Sequence, residues 1–121
     1  MNTSDPQSQS HGNTAAEGVM DRIEALAALS ESSDALTRRF ATPQHRAAND
    51  LAATWMRDAG MSVSEDDIGN VTGRYEALTP GAQAIMIGSH LDTVVNAGRF
   101  DGMLGVSVSY THLTLPTIYS V

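Results

Sequence analysis

The sequence contains no cysteine and no lysine, and all seven of its basic residues are arginine. Without cysteine there can be no disulfide framework and no thiolate ligand, so a metal ion would have to be bound by imidazole, carboxylate or water. The net charge of −7 and the absence of an arginine cluster argue against a surface that neutralises phosphates. We therefore expect no nucleic-acid partner.

Long apolar runs are also absent. A membrane-spanning helix needs about 18 consecutive apolar residues, and no such run occurs. Residues 1–16 consist mainly of Ser, Asn, Gln, Thr and Gly and lack the apolar core of a secretory signal. They have too little apolar surface to offset the entropy lost on ordering. We expect a disordered tail over residues 1–16, a cytoplasmic protein and no membrane partner.

A first helix is predicted over residues 17–30. Val19, Ile23 and Leu26 recur there at three- and four-residue spacing, which places them on one helix face. A polar connection over residues 31–41 follows.

A second helix has the clearer boundaries. Thr42 is suited to its N-cap, Pro43 to its first position and Gly60 to its end. Trp55 is the largest apolar side chain on the predicted buried face, and we expect it to anchor the helix. His45 lies in the first turn, where we interpret it as a solvent-facing residue and not as a metal ligand.

Short strands are predicted after the second helix. Residues 61–65 alternate apolar and polar side chains, residues 66–70 carry turn formers, and residues 71–76 form a second strand. Residues 84–88 (AIMIG) are typical of a third, buried strand. The acidic residues 65–67 are interpreted as part of a solvated turn without a function.

The motif GSHLDTVVNAGRFDG occupies residues 88–102, directly after the predicted third strand. His90 and Asp92 would project from the carboxyl end of that strand, where open α/β sheets place their ligands. Asp92 can also hold the His90 imidazole in one tautomer, as carboxylates behind metal-bound histidines do. Together with Asp101, these residues indicate a candidate metal site.

Glycines give this motif the freedom that such a site needs. Eleven extended residues reach roughly 36 Å, so His90 and Asp101 can share a metal ion only if the chain between them folds back. We expect Gly98 and Gly102 to shape that loop.

The motif closely resembles that of the M20-type amidohydrolases, the family that contains allantoate amidohydrolase, N-carbamoyl-L-amino-acid hydrolase and β-ureidopropionase. Residues 42–51, 55–61 and 69–71 resemble the amino-terminal region of the same family. The resemblance covers residues 17–106. It implies an α/β fold, namely the amino-terminal part of a zinc-peptidase-like α/β/α catalytic domain, incomplete, with two helices and about three strands.

The resemblance also implies roles for the motif residues. His90 would bind one metal, Asp101 would bridge two metals, and Asp92 would orient His90. The implied cofactors are two divalent ions, zinc or manganese, which would activate water for attack on a ureido carbon. The implied partner is a small-molecule ureido substrate, and the parent protein would be a homodimer through a domain absent from this chain.

Residues 94–96 (VVN) favour the allantoate branch of the family, which acts in purine catabolism. The N-carbamoyl-L-amino-acid hydrolase and β-ureidopropionase branches, whose members tend to carry Gln-Pro at this place, are the alternatives. A zinc aminopeptidase of the wider clan is more distant. All three family branches hydrolyse C–N bonds other than peptide bonds (EC 3.5).

The ending of the chain departs from the family pattern. The family needs a Glu-Glu pair and two further histidine ligands downstream, and neither occurs here. Residues 107–121 resemble a translated sequencing adapter, so we interpret them as a non-native ending and do not assign His112 as a ligand. The chain as written is then expected to be a catalytically inactive fragment. This inactive fragment is the alternative of another class to an active amidohydrolase, and a binding module that only retains the loop is a third.

Overall fold

The computed structural model describes residues 14–114, which form three helices and one two-stranded sheet. In chain order the elements are α1 (Ala15–Ala27), α2 (Pro43–Asp58), β1 (Ser62–Glu65), β2 (Val71–Arg74) and α3 (Met103–Thr114). Within this part of the chain, no helix has the length and apolar character needed to cross a membrane. The fold is thus a small α/β unit, but its element count differs from the predicted two helices and three strands.

Helix α1 begins two residues before the predicted start. The Thr14 side chain accepts a hydrogen bond from the Glu17 backbone N–H at 3.2 Å, and the Glu17 carboxylate accepts one from the Thr14 N–H at 2.6 Å. This capping box lowers the pKa of Glu17, because the hydrogen bonds favour its charged form. Residues 15–16 are therefore helical and do not belong to the predicted tail, while residues 1–13 lie outside the described residues.

Helix α2 has the predicted boundaries. The Thr42 hydroxyl accepts from the His45 backbone N–H at 3.2 Å, and Pro43 occupies the first turn. The helix ends at Asp58, and Gly60 then adopts a left-handed φ of 87°. Trp55 packs against the core but is only partly buried, so the prediction of a core anchor is confirmed in part.

Strands β1 and β2 form the predicted hairpin, and their register pairs Ser62 with Arg74 and Glu65 with Val71. Asp66 shapes the intervening turn. Its carboxylate accepts hydrogen bonds from the side chain and the backbone N–H of Asn70 at 2.7 and 2.9 Å. These bonds lower the pKa of Asp66. The interpretation of the acidic residues as part of a turn is confirmed for Asp66 and Asp67, whereas Glu65 is the last residue of β1.

The predicted third strand over residues 84–88 is wrong. These residues have no regular structure, and Ile85 and Met86 are 93% and 92% exposed. A buried strand needs neighbouring strands to pair its backbone and to cover its side chains. The only sheet in the described part of the chain is the β1–β2 hairpin, which does not pair with this segment.

Helix α3 is not among the predicted elements. It packs against α1, where the Arg22 guanidinium lies 4.3 Å from the centre of the Tyr110 ring and 5.9 Å from that of Trp55. Its first residue, Met103, is fully buried. The helix crosses residue 106, at which the native sequence is predicted to end. The adapter origin of residues 107–121 stays a prediction.

The core lies where α1, α2 and the start of α3 meet. It contains Leu26, Leu36, Ala48 and Met103, with Leu91 and Trp55 packed against it. The GSHLDTVVNAGRFDG loop thus runs from an exposed irregular segment, past this core, into the first turn of α3.

Candidate functional site

The candidate site depends on a support segment, residues 36–38, which lies beside the loop. The Thr93 backbone N–H donates to the Arg38 carbonyl at 2.8 Å, and the Arg38 N–H donates to the Thr93 hydroxyl at 2.9 Å. Further along, the Ala97 N–H donates to the Leu36 carbonyl at 2.8 Å. The loop is thereby held against a segment that precedes it by more than fifty residues.

The Arg38 side chain extends this support into the interior. It is fully buried and donates hydrogen bonds to the carbonyls of Leu91 at 2.7 Å, Leu26 at 2.6 Å and Leu29 at 2.8 Å. Burial lowers the pKa of Arg38, and the negative charge of Asp92 opposes that shift. The guanidinium therefore connects the carboxyl end of α1 to the backbone between His90 and Asp92.

The His90 imidazole lies between the two motif aspartates. Its Nδ1 is 2.8 Å from the Asp92 backbone carbonyl and 3.6 Å from the Asp92 carboxylate. Its Nε2 is 3.7 Å from the Asp101 carboxylate. A carbonyl oxygen can only accept, so Nδ1 carries the proton in the neutral ring. The Nε2 lone pair is then free on the side that faces Asp101.

Gly102 places the other end of the loop against this imidazole. It has a left-handed φ of 71°, and a Cβ there would lie 2.7 Å from ring atoms of His90 and even closer to the His90 carbonyl oxygen. The Ser89 hydroxyl also donates to the Gly102 carbonyl at 2.9 Å. At Gly98, by contrast, a Cβ would meet open space. The structure therefore gives a steric reason for glycine at position 102 and none at position 98.

This arrangement can hold a divalent cation between one imidazole nitrogen and one carboxylate. Zinc lies about 2.0–2.2 Å from such ligands, so two donor atoms 3.7 Å apart can contact the same ion. The His90 and Asp101 side chains are 53% and 33% exposed, which leaves the space between them open to solutes. Across residues 14–114, however, no three His, Cys, Asp or Glu side chains converge as a metal site. The predicted ligands are adjacent, but the described residues supply only two of them.

The two other described histidines, His45 and His112, form no three-residue metal cluster with His90 and Asp101. His45 is partly buried, and its Nδ1 accepts from the Ala41 N–H at 3.3 Å. Burial lowers the pKa of His45. The prediction of a solvent-facing residue is therefore confirmed only in part, because the ring folds back over the start of α2 and is partly covered. His112 lines a shallow groove between α1 and α3 with Val19 and Val108.

Sequence reasoning missed Arg38 and its neighbour Thr37, whose hydroxyl accepts from the Asn96 N–H at 2.9 Å. Both residues fall within the predicted polar connection. Arginine is rarely buried, and no local periodicity marks one that is. The φ of 56° at Asn96 was similarly hidden, although asparagine tolerates this conformation better than most residues.

Known proteins resemble this chain over most of its length. No protein-family model matches. Allantoate deiminase 1 from Glycine max is 46% identical over 85 residues, which are 70% of this chain and 18% of that protein. The N-carbamoyl-L-amino-acid amidohydrolase from Pseudomonas sp. (strain NS671) is 44% identical over 85 residues, covering 69% of this chain and 20% of the relative.

Solved structures agree. A crystal structure of AtUAH in complex with glyoxylate matches 83% of this chain and 24% of its own, with a TM-score of 0.75 and 31% sequence identity. A hydantoinase/carbamoylase family amidase from Burkholderia ambifaria matches 81% of this chain and 24% of its own, with a TM-score of 0.74 and 35% identity. The described fold thus matches one portion of each of these larger structures.

The chain is homologous to one part of the family that includes the allantoate deiminases and the N-carbamoyl-L-amino-acid amidohydrolases. It spans about a fifth of the length of the curated relatives that it matches.

Proposed function

We propose that this chain is the amino-terminal part of a dinuclear metal-dependent amidohydrolase that cleaves a ureido C–N bond. The observation that carries the proposal is the placement of His90. Its Nδ1–H is committed to the Asp92 carbonyl at 2.8 Å, while its Nε2 faces the Asp101 carboxylate at 3.7 Å. This is the tautomer and the orientation that a metal-binding imidazole requires.

The proposal gives His90, Asp92 and Asp101 different roles. His90 and Asp101 would hold divalent ions, zinc or manganese, with Asp101 between the two. Asp92 fixes the imidazole through its backbone carbonyl, and its carboxylate lies 3.6 Å from the same nitrogen. When bound, the ions would polarise the substrate carbonyl and lower the pKa of a bound water. The general base and the remaining ligands would come from the rest of the longer protein.

Allantoate is the substrate that we favour, because residues 94–96 resemble the allantoate branch and two allantoate deiminases from Glycine max are 46% and 45% identical. An N-carbamoyl-L-amino acid is the second candidate. The corresponding hydrolase from Geobacillus stearothermophilus is 49% identical over a shorter match of 76 residues. A cytoplasmic location and a homodimeric parent remain part of the proposal and rest on the sequence alone.

Because residues 14–114 supply only two ligands, the 121-residue chain should bind metal weakly and should not turn over substrate. The test is a Mn²⁺ titration of the purified chain, in which the EPR signal of the free ion measures how much Mn²⁺ is bound. We expect His90→Ala and Asp101→Asn each to weaken binding about tenfold or more. Asp67→Asn removes an exposed carboxylate from the hairpin turn and is the matched control, which should bind like the wild type. Equal affinity in all four proteins would refute the proposed metal site.

The coding DNA provides a second test, because the proposed enzyme needs a Glu-Glu pair beyond the motif. Independent clones from the source genome should diverge from this sequence after codon 106 and should encode such a pair. Clones that all continue through the codons of residues 107–121 to a stop codon would contradict both the adapter origin and the proposed parent enzyme.

A further inference from the structure

The buried Arg38 side chain has a contact pattern that is unusual for an arginine. It is 0% exposed, yet its side-chain hydrogen bonds within residues 14–114 all end on backbone carbonyls and none on a carboxylate. Its Nη2 has no hydrogen-bond partner among the described residues. A buried cation without a close ion pair is costly, and a methionine or leucine would fill similar space without that cost. Stability alone therefore gives a poor account of this residue.

The position of the bonded carbonyls indicates a different role. Leu91, whose carbonyl accepts from Arg38 Nε at 2.7 Å, is the residue between His90 and Asp92. The other two carbonyls belong to Leu26 and Leu29 at the end of α1. The guanidinium therefore fixes the peptide that joins the imidazole to its hydrogen-bond acceptor.

The main chain of Arg38 fixes the next peptide as well. Thr93 is buried, its N–H donates to the Arg38 carbonyl at 2.8 Å, and its hydroxyl accepts from the Arg38 N–H at 2.9 Å. The Asp92 carbonyl, which accepts from the His90 Nδ1–H, thus lies between Leu91 and Thr93, and Arg38 is hydrogen-bonded to both of these residues.

We propose that Arg38 is a positioning residue that sets the tautomer and the orientation of the His90 imidazole by holding the backbone at Leu91 and Thr93. Its importance for metal binding rests on the proposed function, whereas its effect on the imidazole does not. Without the Arg38 guanidinium, the Leu91 carbonyl loses its donor and the peptide between His90 and Asp92 is no longer fixed, so the bond from Nδ1 to the Asp92 carbonyl is not maintained. The Nε2 lone pair then ceases to face Asp101.

The test uses the full chain labelled with ¹⁵N-histidine, at about pH 8, where an ordinary imidazole is neutral. Two-bond ¹H–¹⁵N correlations report which ring nitrogen carries the proton, and His90→Gln assigns the signal. We expect the Nδ1–H form in the wild type. Arg38→Gln should shift the population towards Nε2–H. Thr93→Val should do the same, because it removes the hydroxyl, and Thr93→Ser should restore the wild-type form.

Arg22→Gln is the control for a merely structural effect. Arg22 donates to the Gly18 carbonyl and to the Thr111 hydroxyl and lies near the Tyr110 and Trp55 rings, and none of these partners belongs to the loop. The Arg22→Gln substitution should lower the thermal midpoint of unfolding and leave the His90 tautomer unchanged. A folded Arg38→Gln or Thr93→Val chain that retains the Nδ1–H form would overturn the proposal. If Arg38→Gln does not fold, the two Thr93 variants decide the matter.

A Mn²⁺ titration of the same variants separates this proposal from the metal site itself. Arg38→Gln should weaken binding about tenfold, in the range typical of residues that orient a ligand. If His90→Ala binds Mn²⁺ as well as the wild type while Arg38→Gln shifts the tautomer, the positioning role stands and the metal function fails. If His90→Ala weakens binding and Arg38→Gln changes neither property, the positioning role fails and the metal function stands.

Discussion

Two regions of the chain are ordered by different kinds of contact. One is the unit formed by α2 and the β1–β2 hairpin, and the other is the loop over residues 88–102. The first has caps, a periodic apolar pattern and a turn closed by Asp66, and each of these features is set by residues close together in the sequence. The loop has almost no regular structure and is held by Arg38, which lies 53 positions before Leu91. The side chains of the candidate metal site therefore lie in the region whose order depends on contacts with residues distant in the sequence.

This difference predicts two kinds of mutational effect. Substitutions in α2 and the hairpin should change the free energy of unfolding without affecting the His90 imidazole. Substitutions in the loop and its support segment should change the imidazole geometry, whether or not they change stability.

Gly102→Ala should have the largest effect. It forces a Cβ into a left-handed conformation and into contact with the His90 ring. Strain and overpacking together should cost about 3 kcal/mol of unfolding free energy. Urea denaturation followed by circular dichroism measures that loss, and the tautomer experiment reports the accompanying shift at His90. Gly98→Ala, where the Cβ meets open space, is the control and should stay within about 0.5 kcal/mol of the wild type. Equal losses at both positions would contradict the close approach of Gly102 to His90.

Trp55→Ala should come next. Because Trp55 is only partly buried against the core, we expect a loss of about 2 kcal/mol, below the range for fully buried tryptophan. Urea denaturation again gives the value, and Trp55→Phe should lose less. The His90 tautomer should remain as in the wild type. A tautomer shift in Trp55→Ala would show that the two regions are coupled and would remove the contrast between them.

Ala41→Gly should be mildly stabilising. Ala41 has a φ of 61°, where a Cβ costs roughly 1–2 kcal/mol that glycine would avoid. The greater freedom of glycine in the unfolded chain offsets about 0.4–1 kcal/mol of this gain. The net gain should be about 0.5 kcal/mol, visible as a higher urea midpoint. Ala59→Gly, at a right-handed φ of −78°, is the control and should be destabilising. A destabilised Ala41→Gly chain would contradict the left-handed backbone ahead of α2.

The smallest effect should be a change in pH dependence at the hairpin turn. Hydrogen bonds from Asn70 hold the pKa of Asp66 below its ordinary value. The stability that its carboxylate contributes is therefore present above the unfolded pKa and is lost as pH falls through the lower folded pKa. The gap in urea midpoint between the wild type and Asp66→Asn should be constant above about pH 5 and should shrink as pH falls below the ordinary aspartate pKa of about 3.9. Asp67→Asn should run parallel to the wild type, and a constant gap for Asp66→Asn would argue against the turn.

Much of the α2 and hairpin region was predictable, since caps and alternation act over a few residues. Thr42, Pro43 and Gly60 have the expected places, and the hairpin has the expected turn. The Thr14 and Glu17 capping box was equally readable but was missed. In the candidate site, the motif located His90 and Asp101, and it did not reveal which atoms would face each other.

The sequence by itself determined the helix α2, the hairpin and the identity of the three polar motif residues, because each follows from local pattern or from the motif. Only the tertiary structure decided that residues 84–88 form no strand, that α3 packs on α1, and that Arg38 is buried beneath the loop. The physical reason is that the interaction partners of these residues come from distant parts of the sequence. A strand needs a neighbour to pair with, and a buried guanidinium needs carbonyls that only folding brings together.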